Sequence, residues 1–340
     1  MDETGKIYSC THNYQSIITA NEEFDTLGKS QEEWYRISLD ETGRIIEKHV
    51  PEFSGYTTVF HLDDGLFSLT SVDDEGKATF RLFDTKNLFV NKTLQQECNF
   101  RTSLSDDRLC FYTEDRQHGV CDRTGKIILP PKSEYTSIGP YTDGLASFRK
   151  ELDGKIRWGF LDTLGQETIP AQYHLVLPFT GGMTAVARDS DDRFIYINKD
   201  NAPCFGQDCS FYCAFNFLTD LAQVKDEPNS LWRYIDREGK EVIPAKFKEA
   251  SSFSRGLAIV RTEDDSLICI NQKGKKVFQI AAKDSGNKVQ CTKFCGPLIM
   301  CRESGENRYY YLNKRGRRVW EGKVSQQEAS VLQTYFFTHL

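Results

Sequence analysis

One short pattern recurs along the whole chain and restricts its fold more than any other feature: Asp or Asn, two residues, then Gly or Asn. It pairs Asp2 with Gly5, Asp40 with Gly43, Asp84 with Asn87, Asp122 with Gly125 and Asp162 with Gly165. It continues with Asn198 and Asn201, Asp236 and Gly239, Asn271 and Gly274, and Asn313 and Gly316. The first positions lie 38, 44, 38, 40, 36, 38, 35 and 42 residues apart. So regular a ladder marks a repeat protein, and periods in this range belong to propellers, solenoids and arrays.

The physics of one unit follows from what flanks the anchor. Before it runs an aromatic or apolar strand: WGFL at 158–161, FIYI at 194–197, WRYI at 232–235, LICI at 267–270 and YYYL at 309–312. Asp or Asn then accepts hydrogen bonds from the backbone ahead of it, and the fourth residue takes the left-handed conformation that closes a short hairpin. Asn is the best substitute for Gly there, which accounts for Asn87 and Asn201. The next strand is β-branched (Ile127, Ile128, Thr168, Ile169, Val242, Ile243) and is expected to end at Pro130, Pro170 or Pro244, which cannot donate to a ladder. A second marker runs in phase: DGLFSL at 64–69, DGLASF at 143–148, GGMTAV at 181–186, DLAQV at 220–224 and RGLAIV at 255–260, with weaker forms at 106–112 and 296–301. Each unit therefore reads as a small sheet of three antiparallel strands. Such a sheet cannot hide its apolar face alone, so stacked or ringed neighbours must cover it.

Composition agrees. Phe (23) and Tyr (15) are plentiful and Met (3) is scarce, which favours strands. A net charge of −6 argues against a general nucleic-acid binder. The basic cluster of Arg308, Lys314, Arg315, Arg317 and Arg318 reads first as a solvated strand and turn, and second as a seat for an anionic partner. No apolar run is long enough to span a membrane, and MDETGKIYSC does not have the form of a signal peptide. Eleven cysteines without framework spacing then read as reduced thiols in a cytoplasmic protein. The groups Cys204, Cys209, Cys213 and Cys291, Cys295, Cys301 do not have the tight paired spacing of structural zinc, so buried free thiols are expected.

Trp158, Gly159, Phe160, Leu161, Asp162, Gly165, Ile169, Pro170, Tyr173, Phe179, Gly182 and Ala185 together resemble a unit of the WG-repeat (KWG-type) family, common in bacterial proteins. Residues 232–260 resemble it equally, with Arg233 in place of the second-position Gly; residues 118–148 do so with His118 in place of the Trp. The resemblance implies a β-propeller-like or repeat-array binding scaffold with no shared catalytic residue. A weaker likeness, of residues 308–316 to choline-binding repeats, covers one copy only.

The expected fold is all-β: about eight units of roughly 35–44 residues, forming a seven- or eight-bladed propeller, with an open solenoid-like array as the alternative. One domain is expected over 1–324, with the apolar segment 325–340 as a closing strand or short helix. Closure would pair the chain near Ile7 with the strand near Val319. Catalytic constellations are absent from the sequence: it has no Gly-x-Ser-x-Gly, His-Glu-x-x-His, P-loop or dinucleotide fingerprint. The six histidines are scattered, His118 and His174 reading as strand or surface residues. The repeated Asp is assigned to turns, since Asn replaces it at 198, 271 and 313 and cannot carry the charge a metal or acid–base role needs. The acidic stretches 189–192 and 263–265 read as hairpin tips rather than calcium sites. No catalytic, cofactor-binding or metal-binding residue is therefore assigned. Loops of unequal length are where specificity resides on a regular scaffold, which points to 51–63 and 281–296 as partner surfaces. The function expected is non-enzymatic binding of a protein or peptide by a monomer, without nucleic acid, membrane or cofactor. The alternative is an enzyme or small-ligand or carbohydrate binder with its site in an axial channel.

Overall fold

The structure is a computed structural model. It describes residues 16–19, 26–30, 33–39, 45–63, 66–72, 74–75, 78–84, 88–89, 98–100 and 104–323, the last without 114, 189, 207–208, 282–288, 292–297 and 304–307. The anchors at 2–5 and 40–43, most of that at 84–87, the segment 325–340 and Ile7 lie outside the described residues. The chain divides into two compact units between Pro178 and Phe179.

Among the described residues the registered strand pairings are antiparallel and join sequence neighbours, so the sheets are meanders. The clearest is Tyr135–Thr142, Leu145–Leu152, Lys155–Asp162 and Glu167–Tyr173, in that spatial order. The sheets of 16–49, 58–89, 98–132 and 289–323 have the same four-stranded order. The three-stranded expectation is thereby corrected. The Gly-Leu-Ala strand precedes the aromatic strand in the same sheet, and a further strand, whose sequence varies from copy to copy, precedes both. From Cys213 to Ile280 two units fuse into one seven-stranded sheet, because Glu241–Ala250 pairs with Trp232–Ile235 at its start and with Leu257–Thr262 at its end.

The anchors behave as the turn chemistry requires. Asp162 Oδ1 accepts from the N–H groups of Leu164 and Gln166, both at 2.9 Å. Asn198, Asp236, Asn271 and Asn313 accept from the second and fourth residues ahead in the same way, as does Asp122. One carbonyl-type oxygen takes both bonds, so Asn serves as well as Asp. Gly165 closes the turn at φ +75° and Asn201 does so at +62°. The second marker is a two-residue hairpin with both central residues left-handed, as at Asp143 (+56°) and Gly144 (+83°). The degenerate copy at 106–112 is a full member, with Asp106 at +50° and Asp107 at +58°.

Pro130, Pro170 and Pro244 do not end their strands, contrary to expectation; they sit inside Ile127–Lys132, Glu167–Tyr173 and Glu241–Ala250. At Pro170 the register slips: Phe160 faces Ile169 while Trp158 faces Tyr173. A bulge on an outer strand asks for no donor at that position, which is where proline is tolerated.

The core lies between successive sheets. Leu62, Leu66 and Leu82 pack with Leu109, Phe111 and Cys121 of the following sheet, and Ile259, Cys269 and Ile280 with Ile299, Cys301 and Tyr310. At ~25 cal/mol per Å² this burial is the main force holding each sheet to its neighbour. The anchor turns take part as well. A Cβ on Gly165 would lie 3.0 Å from Leu129 of the preceding sheet, one on Gly239 2.9 Å from Phe205, one on Gly274 3.0 Å from Ile243 and one on Gly316 2.5 Å from Phe278. The anchor glycine therefore serves both a turn and a seam. In the aromatic strands Phe160 and Tyr234 are fully buried, while Trp158 and Trp232 are half-buried under a cation, Arg149 at 5.6 Å and Lys225 at 6.0 Å.

Candidate interaction surface

In the unit that begins at Phe179, the stretch SFYCAFNFLTD (210–220) carries more large apolar residues than a one-sided strand can bury. Phe211, Ala214 and Phe217 are buried, while Tyr212 (47%), Phe215 (39%) and Leu218 (50%) are exposed. Cys213 and Ala214 pair with Lys225 and Val224, fixing the stretch to the sheet edge.

Its backbone is clamped from below. The Tyr196 hydroxyl donates to the Phe215 carbonyl at 2.6 Å, and the Tyr196 ring meets those of Phe205, Phe211 and Phe217 at 5.1, 5.9 and 5.2 Å. Arg237, from an anchor turn, donates to the carbonyls of Gly181 (3.0 Å), Thr180, Phe217 and Thr219 and lies over the Phe217 ring. A guanidinium can serve so many acceptors because its donors form a rigid planar fork. Phe215 is thus held outward on a fixed backbone, its ring 5.7 Å from that of Trp232.

Behind the rings lie neutral polar groups. Gln223, 2% exposed, donates from Nε2 to Ser252 Oγ at 2.9 Å, and its Oε1 has no hydrogen-bond partner. Asn216 accepts from the Ala185 N–H. Arg233 forms a two-bond pair with Asp226 at 2.8 and 2.9 Å, and this carboxylate holds the guanidinium above its ordinary pKa. Burial pushes the thiols of Cys204, Cys209 and Cys213 up, which keeps them neutral and poorly nucleophilic. Among the described residues no group of three or more His, Cys, Asp or Glu is placed to hold a metal ion.

The sequence-derived candidates lie elsewhere. In 51–63, Pro51–Phe53 forms a short 3-10 turn, Phe53 is buried against Phe67, and Trp34 Nε1 donates to the Tyr56 carbonyl. Pro51, Ser54, Gly55 and Thr57 are exposed there, and no large apolar side chain among the described ones is. Most of 281–296 lies outside the described residues. His118 begins a strand with its ring 5.8 Å from Tyr112, and His174 is exposed. In the acidic tips, Asp264 accepts from the Thr262 hydroxyl and from Ser266, which hold its carboxyl below the usual range. The surface at 212–218 was overlooked in the sequence because repeat phase was followed through it. The available signal was its apolar excess.

The comparisons with known proteins concern the repeat and the fold. The model of the WG containing repeat matches residues 119–155, 158–190 and 232–264. No curated protein matches the sequence. Among solved structures, a eukaryotic initiation factor is similar at 10% identity with a TM-score of 0.58, over 94% of this chain and 90% of that one. BamB from Moraxella catarrhalis is similar at 9% identity and TM-score 0.41, over 92% of this chain and 91% of that one. The WD40 β-propeller domain of Doa1 is similar at 12% identity and TM-score 0.34, over 68% and 83%. At 10% identity the likeness to the initiation factor is one of fold alone. The fold is all-β, built of small repeated antiparallel sheets like the blades of a β-propeller, and the chain is a carrier of WG-containing repeats.

Proposed function

We propose that the chain is a non-enzymatic binding scaffold that docks a peptide segment of another protein on Tyr212, Phe215, Leu218 and Trp232. One observation carries the reading: three large apolar side chains stand 39–50% exposed within seven residues, on a backbone fixed by Tyr196 and Arg237. Aromatic anchors on a rigid support lose little entropy on binding, and interfaces concentrate their energy in such residues. Phe215 and Trp232 offer adjoining rings to an apolar side chain, and Lys225 over the Trp232 ring offers a charge.

An enzyme is the less favoured reading on the chemistry of the perturbed groups. Glu134 is held down by Lys150, and Tyr141, Tyr196 and Tyr234 are pushed up by burial, all within structural contacts. In the proposed role the chain works as a monomer in the cytoplasm and needs no metal or cofactor.

The test is affinity capture from native lysate with the full chain and with a Tyr212→Ser, Phe215→Ser variant, read by quantitative mass spectrometry. The proposal expects a protein enriched by the parent and reduced at least about tenfold by the variant at an unchanged Tm. Equal recovery by both proteins would overturn it.

A further inference from the structure

Successive repeats meet where an anchor turn sits on the last strand of the repeat before it, as at Gly165, Gly274 and Gly316, and the charge along these seams is uneven. The turn at 162–166 brings Thr163, Leu164 and Gln166 to the sheet of Leu129; its own charge is Asp162, and Arg108 of that sheet donates to the Thr163 carbonyl at 2.7 Å. The turn at 271–275 brings Lys273 and Lys275 to a strand that starts with Glu241. The turn at 313–317 brings Lys314, Arg315 and Arg317 to Phe278, on a strand that starts with Lys276. Lys276 stands two residues before Phe278 on this strand, across a bulge opposite Cys269 and Ile270.

Lys273, Lys275, Lys276, Lys314, Arg315 and Arg317 are all exposed. None of them forms an ion pair among the described residues; Lys276 Nζ donates to Gln279 at 2.8 Å. Glu303 and Glu321 are engaged by Arg318, which reaches them at 3.1 and 3.2 Å and lies 3.8 Å over the Tyr310 ring. Like charges gathered in one region disfavour the folded state, so these six cations, five on two turns and one on the strand after the first, serve no purpose of the fold among the described residues. In a chain of net charge −6 they form a local exception.

We propose that this seam docks a short acidic peptide segment of a partner protein. This extends the binding-scaffold reading, on which it rests, to a second set of residues. Two observations choose the peptide over other anions. The turn N–H groups of Lys273, Lys275, Arg315 and Arg317 already donate to Asn271 and Asn313, so the seam has no backbone nest for a compact phosphate. The flanking sequence is acidic, with Glu238, Glu241, Glu263, Asp264 and Asp265 before it and Glu321 after it, so a long polyanion would run from cations onto carboxylates. Carboxylates spaced along an extended peptide match side-chain cations on two separate turns.

The test is fluorescence anisotropy of a labelled oligo-glutamate peptide on the full chain at physiological salt. The seam variant is Lys275→Gln, Lys276→Gln, Arg315→Gln, Arg317→Gln; a control variant carries Lys126→Gln, Lys155→Gln, Lys240→Gln, Lys246→Gln. We expect the seam variant to weaken binding at least about tenfold at unchanged Tm, and the control to change it less than about threefold. Absence of peptide binding, equal loss in both variants, or tighter binding of labelled oligothymidylate or of phosphatidylserine vesicles would overturn the inference. If the peptide fails while Tyr212→Ser, Phe215→Ser still abolishes capture, this inference falls alone. If both fail, the scaffold reading falls with it.

Discussion

Strands Leu145–Leu152 and Lys155–Asp162 set Gly159 opposite Phe148, whereas Ala222–Lys225 and Trp232–Ile235 set Arg233 opposite Val224. In the first copy a Cβ on Gly159 would lie 2.7 Å from Phe148 Cζ and 2.4 Å from the Ile169 carbonyl. The glycine is there for space, since its φ is not left-handed. Gly119 does the same for Phe111, whose Cζ would lie 2.7 Å from its Cβ. In the second copy the ring has shrunk to Val224 and a long side chain has grown on the facing strand. Charge has crossed the strands with it. Lys150, two residues beyond Phe148, reaches Glu134 and Glu167; the matching position beyond Val224 is Asp226, which receives Arg233. Glu241 stands where Glu167 does, 3.9 Å from the Arg233 guanidinium. The marker glycine is thus one member of a set (Gly159, Phe148, Lys150) that a second set (Arg233, Val224, Asp226) replaces.

The largest effect should come from breaking one set without supplying the other. Gly159→Arg alone forces Phe148 and the outer strand apart and places a cation beside Lys150, at a cost of about 3 kcal/mol in urea unfolding. Next in size is Gly165→Val, at about 2 kcal/mol, because the residue is left-handed and its Cβ meets Leu129 across the seam. Gly154→Val separates the two causes: φ is +71° but nothing lies within 4 Å, so about 1 kcal/mol is expected from strain alone. Equal losses at 154 and 165 would remove the seam from the account. The smallest effect belongs to the anchor acid. Asp162→Asn should stay within about 0.5 kcal/mol, since one oxygen accepts both turn bonds, while Asp162→Ala should cost about 1 kcal/mol.

Much of this was legible in the sequence, and what was not has physical reasons. The turns could be read because a left-handed residue and an Asx acceptor admit few side chains. The aromatic strands could be read because their apolar run is nearly continuous. The first strand of each sheet was not legible because Tyr135–Thr142, Cys213–Ala214 and Val289–Cys291 share no pattern, being held by pairing and by side chains from neighbouring strands. Pro170 misled because a proline looks like a stop until the bulge beside it is seen. The reason for Gly159 was hidden because its partner, Phe148, lies eleven residues away across a hairpin. The surface at Tyr212 and Phe215 was lost in an apolar run that looks like core. Tyr196 and Arg237, distant in sequence, hold the backbone that carries those two side chains outward.

The central claim is that these sets are interchangeable packing solutions and carry no function of their own. It is tested most directly by the unfolding free energy of a triple variant, Phe148→Val, Lys150→Asp, Gly159→Arg, against Gly159→Arg alone. The account predicts that the triple variant recovers at least about 1 kcal/mol, a coupling of the size seen between residues in contact. A triple variant no more stable than Gly159→Arg would contradict it.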